Sequence, residues 1–177
     1  MAKRKYKISV WRDFESLYYA MPSRDHPAFA ASLTKEQIRI QDKSGWTIAH
    51  HLASLGLLPE KYLTDDILLM RDDGGTTVVH AFGRHLPEQL KTEKYLNLSN
   101  FTGYSVYHVL ARSNSIPGRF LTRENLCRIA DDKGETLAHS LAYFGFLPEE
   151  FLHDDEILWM RNEFGTTVLH RLASLGK

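Results

Sequence analysis

The chain has 177 residues, 43% apolar and 25% charged, and its 22 basic and 22 acidic side chains cancel. That composition is ordinary for a globular protein and leaves enough chain for a sizeable core. A neutral balance removes the electrostatic drive toward nucleic acid or an anionic membrane, so nucleic acid is an unlikely partner. No apolar run is long enough to read as a transmembrane helix, and no membrane role is expected.

The chain starts with Lys3, Arg4, Lys5 and Lys7, read as a solvated terminus. Residues 8–13 turn charged too soon for the apolar stretch of a secretory leader. In residues 11–20 the spacing of Trp11, Phe14 and Tyr18 predicts one apolar helical face, with Leu17 beside it. Pro22 and Pro27 bracket a break, and a short Ala-rich piece follows over 28–33. Residues 1–32 are read as an N-terminal helical cap, because the ends of a stacked array need atypical units.

From residue 33 to 177 a pattern recurs five times: Asp or Asn, two residues, Gly, one residue, Thr or Ser, two residues, His. The glycines are Gly45, Gly75, Gly103, Gly134 and Gly165, in steps of 30, 28, 31 and 31. Asp42, Asp72, Asn100, Asp131 and Asn162 precede them by three places. Thr47, Thr77, Ser105, Thr136 and Thr167 follow by two, and His50, His80, His108, His139 and His170 by five. Such a period marks a stacked repeat array. Each unit predicts a short helix after a Thr N-cap, a turn whose Gly needs positive φ, and a second helix opened by the Thr or Ser. A Leu-Pro phrase follows the second helix at Leu58-Pro59 and Leu147-Pro148, with the proline suited to a first helical position. The class expected is all-α, a helical repeat solenoid.

Residues 131–145 carry the fullest copy: Asp131, Gly134, Thr136, Leu137, His139, Ala142 and Gly145. With them the chain resembles the ankyrin repeat family over residues 33–177, in a variant of bacterial or phage type. Three features depart from that family. Ile48, Val78, Val106, Leu137 and Val168 stand where it has Pro; Leu86 and Asn114 replace its second glycine; and the units are shorter. The resemblance implies a binding array with no enzymatic activity and no cofactor, in which the five histidines are structural.

The residues support that assignment. Histidines one repeat apart form a ladder with steps of about 10 Å if neighbouring units pack at helix spacing, too far to share a metal ion. Ser105 near His108 is a helix cap rather than a nucleophile, and Gly74-Gly75 lacks the Lys that a phosphate loop needs. The single cysteine, Cys127, points to a reducing, cytoplasmic compartment and reads as buried and inert.

The family's turn tips and inner helix face imply the partner surface. Carried onto this sequence, that surface includes Trp46, Arg84, His85, Phe101, Tyr104, Arg112, Tyr143, Phe144 and Phe164. Aromatics and arginine are what interface hot spots are made of. The expected function is a protein-protein interaction module, an adaptor or an inhibitor of a larger complex. Trp46 and Tyr104 are expected to serve binding with little part in stability. The alternative is a nucleic-acid-associated protein using the basic start and the aromatic tips. Leu175-Gly176-Lys177 stands where a further Leu-Pro phrase would begin, which predicts self-association through that end.

Overall fold

The computed structural model describes residues 6–176. The basic residues Lys3, Arg4 and Lys5, and Lys177, lie outside the described residues. The fold is all-α, and the extended pairing among the described residues consists of isolated antiparallel bridges. No helix among those residues is long and apolar enough to cross a membrane. The chain divides into two compact units, residues 1–86 and 87–177.

The first unit begins with α1 (Trp11–Ala20) and α2 (His26–Ser32). Asp13 starts α1 by accepting from the amides of Ser9 and Val10 at 2.8 and 3.2 Å. The expected apolar face of α1 is Phe14 and Tyr18, both buried, with Trp11 and Leu17 half-buried. Phe14 stacks on Tyr18 at 5.4 Å and lies 6.0 Å from Phe29 of α2. The first repeat contributes α3 (Ile48–Ser54), and the second contributes α4 (Asp65–Leu68) and α5 (Val78–Phe82), with α5 packed on α3. Before the first Gly the expected helix is only a 3-10 turn, Gln37–Arg39. Pro59 stands just outside the 3-10 turn Glu60–Tyr62, so proline precedes the turn rather than opening it.

The second unit holds the remaining three repeats. Their helices are α6 (Glu93–Leu96), α7 (Val106–Ala111), α8 (Arg123–Arg128), α9 (Leu137–Phe144), α10 (Asp155–Leu158) and α11 (Val168–Ala173). Here α9 packs between α7 and α11, and α8 and α10 lie behind. The core is a stripe of fully buried Val106, Leu110, Leu137, Ile157 and Val168. Each such side chain gives about 2 kcal/mol on leaving water. None of these helices exceeds eight residues, a length too short to persist alone, so packing between repeats must hold them.

Each turn is built around one carboxylate or amide oxygen. Asp42 Oδ1 accepts from the amides of Ser44 and Trp46 at 2.8 and 3.0 Å. Asn100 Oδ1 does the same for Thr102 and Tyr104, and Asn162 Oδ1 for Phe164 and Thr166. The turn itself uses only an acceptor, which is why Asp and Asn interchange at this position. The lost second glycine is also accounted for. Asn114 takes positive φ (51°) in its place, as Asn tolerates. In the second repeat the chain turns earlier, at Gly83 with φ 51°, into the 3-10 turn Gly83–His85.

Successive tips meet backbone to backbone. Asp73 N–H donates to Ser44 O at 3.0 Å in the first unit, and Asp132 N–H to Thr102 O at 3.0 Å in the second. Gly103 and Gly165 share φ +74°, but a Cβ on Gly103 would stand 2.7 Å from Asp132 N, whereas one on Gly165 would meet nothing within 4 Å. Replacing Gly165 by Ala should therefore cost only the left-handed strain, about 1–2 kcal/mol. Gly103→Ala should cost roughly twice that, because the tip-to-tip bond must also give. Urea unfolding of both variants checks this; equal losses would show that the close approach of the tips contributes nothing.

Candidate binding site

The repeated histidine sits at the third position of its helix, behind the capping Thr or Ser. Thr47 N–H donates to His50 Nδ1 at 3.2 Å and the Thr47 hydroxyl donates to it at 2.7 Å. His50 N–H donates back to Thr47 Oγ1 at 3.2 Å. Because a backbone amide can only donate, Nδ1 must be the acceptor and Nε2 must carry the hydrogen. That hydrogen goes to Thr76 O of the following repeat, at 3.1 Å. His108 and His139 likewise reach Glu135 O and Thr166 O at 3.1 and 3.2 Å. The same Nδ1 bonds recur at Thr77/His80, Ser105/His108, Thr136/His139 and Thr167/His170. His50, His108 and His139 thus have both ring nitrogens in use. Among the described residues no group of three or more His, Cys, Asp or Glu side chains is placed to hold a metal ion. A scan against protein-family models finds no match, and neither does a search of curated proteins.

Two of the expected partner residues turn out to guard these histidines. Trp46 lies over His50 with ring centroids 4.8 Å apart, and Tyr104 stacks on His108 at 4.9 Å. Tyr104 also donates its hydroxyl to His108 O at 3.2 Å. Both are half-buried, so each serves stability as well as presenting an edge. The stacking could have been foreseen, since the residue after each Gly lies four before the His.

The remaining positions are freer. Phe101 and Phe164 are 72% and 74% exposed at their tips, and Tyr143 is 51% exposed on α9. Phe144 is half-buried and meets Tyr143 edge-on at 4.9 Å. Arg84, His85 and Arg112 are exposed, and the His85 ring fills the space beside Gly56, 3.1 Å from where a Cβ would stand. Cys127 is half-buried rather than buried, and burial pushes its thiol up.

Three features escaped the sequence reading. The first is the pairing made by Glu135, a position on the expected partner surface, whose carboxylate accepts from Arg171 Nη2 at 2.9 and 3.1 Å and from Asn162 Nδ2 at 2.7 Å. The second is His51, enclosed by α1. Its ring lies 5.3 Å from Phe14, 5.2 Å from Tyr18 and 6.1 Å from Trp11, and its buried Nε2 has no partner among the described residues. The third is the first turn of α11. Leu169 is 37% exposed and His170 is exposed, whereas Ala138 and His139 at the same places in α9 are fully buried.

Burial pushes the titration of His50, His51, His108 and His139 below the ordinary histidine value, because a charged imidazole would be stripped of water. Protonation would also set a donor on Nδ1 against a donor amide at the three capping positions. The folded chain therefore refuses protons that the unfolded chain accepts below about pH 6.5. Stability is fully present above that pH and is lost on acidification through it. Each such histidine steepens the loss by up to about 1.4 kcal/mol per pH unit. The melting temperature should be flat from pH 7 to 8 and fall steeply below pH 6. A flat profile down to pH 5 would show that these rings titrate as they do in water.

Proposed function

We propose that this chain is a non-enzymatic protein-binding module made of ankyrin-like repeats, which grips a protein partner with its turn tips and the exposed face of its inner helices. The observation that carries this reading is the exposure of Phe101, Phe164 and Tyr143 on a backbone otherwise fixed by hydrogen bonds. A solvated loop gains nothing from bare phenyl rings, whereas an interface draws its affinity from such residues. Rigid tips lose little conformational entropy on binding. The repeated bond from Asp or Asn to the turn, the positive-φ Gly and the Thr–His cap support the ankyrin-like assignment.

Binding is favoured over catalysis by the state of the histidines. A general base needs a free ring nitrogen near its substrate, and His50, His108 and His139 have none to offer.

Phe101→Ser combined with Phe164→Ser tests the reading, because both rings are exposed and neither covers a histidine. Affinity capture from source-cell lysate should retain one stoichiometric protein on the intact chain and lose it on the double variant. The variant's stability should stay within about 1 kcal/mol of the intact chain. Capture of nucleic acid, released steeply by salt, would overturn the proposal in favour of strand binding.

A further inference from the structure

Within the second unit the departures from the repeat converge on one hollow. At the place after the repeat glycine stand Trp46, Thr76, Tyr104 and Thr166, but Glu135 in the fourth repeat. Six places after the glycine stand His51, Ala81, Val109 and Ser140, but Arg171 in the fifth. Each of these charges is alone at its repeat position, and the two meet, with Arg171 Nη2 shared between both Glu135 carboxylate oxygens. Beside them Tyr143 is the sole aromatic nine places after the glycine, where the other repeats have Ser or Arg. Together with Tyr104, Ser140 and Phe144 these residues line a cavity of about 300 Å³. That volume is at the small end for a ligand site and suits one side chain better than a cofactor.

Every wall of the hollow is fixed. Tyr104 is clamped by the His108 ring and its carbonyl. Tyr143 is held edge-on by Phe144 and covered by the Arg171 guanidinium, 5.3 Å from its ring centre. Arg171 is in turn oriented by Glu135, which Asn162 anchors. Burial alone would raise the Glu135 carboxyl, but the bonds from Asn162 and Arg171 outweigh it and hold the group ionised. The charges therefore cancel inside the site. Arg171 Nη2 is taken by Glu135, and Arg171 Nε, which has no partner among the described residues, is buried away from solvent, so charge does not select the occupant. Two tyrosine rings, a phenyl edge and a stacked guanidinium plane remain to contact it, and such surfaces favour an uncharged ring.

We propose that this hollow is a preformed anchor pocket for one aromatic side chain of a protein partner. The inference rests on the protein-binding reading above and assigns its central contact. Arg171 and Glu135 are then positioning residues: they set the pitch of Tyr143 and close the floor, and neither is required to meet the partner's charge.

The test uses the full chain labelled with nitrogen-15 and titrated with N-acetyl-phenylalaninamide, ethylguanidinium and adenosine as probes. The amide resonances of Ser140, Tyr143 and Phe144 should move saturably with the phenylalanine probe alone, with Kd of about 1 mM for a ligand of that size. Tyr143→Ala should weaken that binding at least about tenfold. Arg171→Met, which keeps the apolar stem but frees the tyrosine, should weaken it severalfold while the fold persists. Saturation by ethylguanidinium or adenosine instead, or no movement at those amides, would overturn the proposal. Panning a random peptide display library against the intact chain separates the two readings. Enriched peptides that bind the Tyr143→Ala chain equally well would sink the pocket and leave protein binding standing. Peptides that enrich one aromatic position and lose affinity on Tyr143→Ala support both.

Discussion

The structure depends on an imidazole used at both ends. At the third position of a helix, a Glu or Gln side chain reaches back to its own cap and does nothing more. A histidine there accepts from the cap amide through Nδ1 and still has Nε2–H directed outward. In His50, His108 and His139 that second hydrogen closes on a carbonyl of the next repeat. One side chain thus ties helix initiation to stacking, which lets helices of five to eight residues persist. The arrangement also dictates the neutral ring, since a donor on Nδ1 would face a donor amide. Acid sensitivity is consequently a property of the joint itself.

Much of the fold was legible because it repeats. Gly with positive φ, the Asp or Asn turn, and the capping Thr or Ser with its His all occur five times, and a pattern read five times averages out local ambiguity. What was not legible was the length of each piece. Thr34 to Ile38 has the look of a helix yet closes only a 3-10 turn at Gln37–Arg39, because the chain must reverse at Ile40 to bridge Gln41 with Thr47. Propensity was overridden by the turn that follows.

The expected partner surface was legible only as positions, not as packing. Trp46 and Tyr104 were expected to serve binding with little part in stability, but both are half-buried, with their rings resting on His50 and His108. Phe101 and Phe164 occupy the tips with nothing to cover, and their exposure separates them from the first pair. The pairing of Glu135 with Arg171 was missed because charges at surface positions ordinarily mean solvation. Only the spatial meeting of two unmatched positions, 36 residues apart, gives them meaning.

That meeting indicates how a repeat scaffold acquires specificity. Positions that repeat are bound by the bonds between neighbouring repeats: altering His108 or Gly103 would disturb the joint between the third and fourth. Positions that do not repeat are free of that constraint and can vary without unfolding the chain. The two free positions in neighbouring repeats face each other across the inner helices, so a charge placed in one is stabilised by its opposite in the other. Such a pair costs desolvation and yields little net stability, yet it fixes the geometry of the rings around it. A rigid scaffold with one oriented aromatic hollow and two exposed phenyl tips is what a binder needs to lose little entropy on contact. The regular part of the sequence builds the frame, and it is the irregular part to which the proposed recognition is assigned.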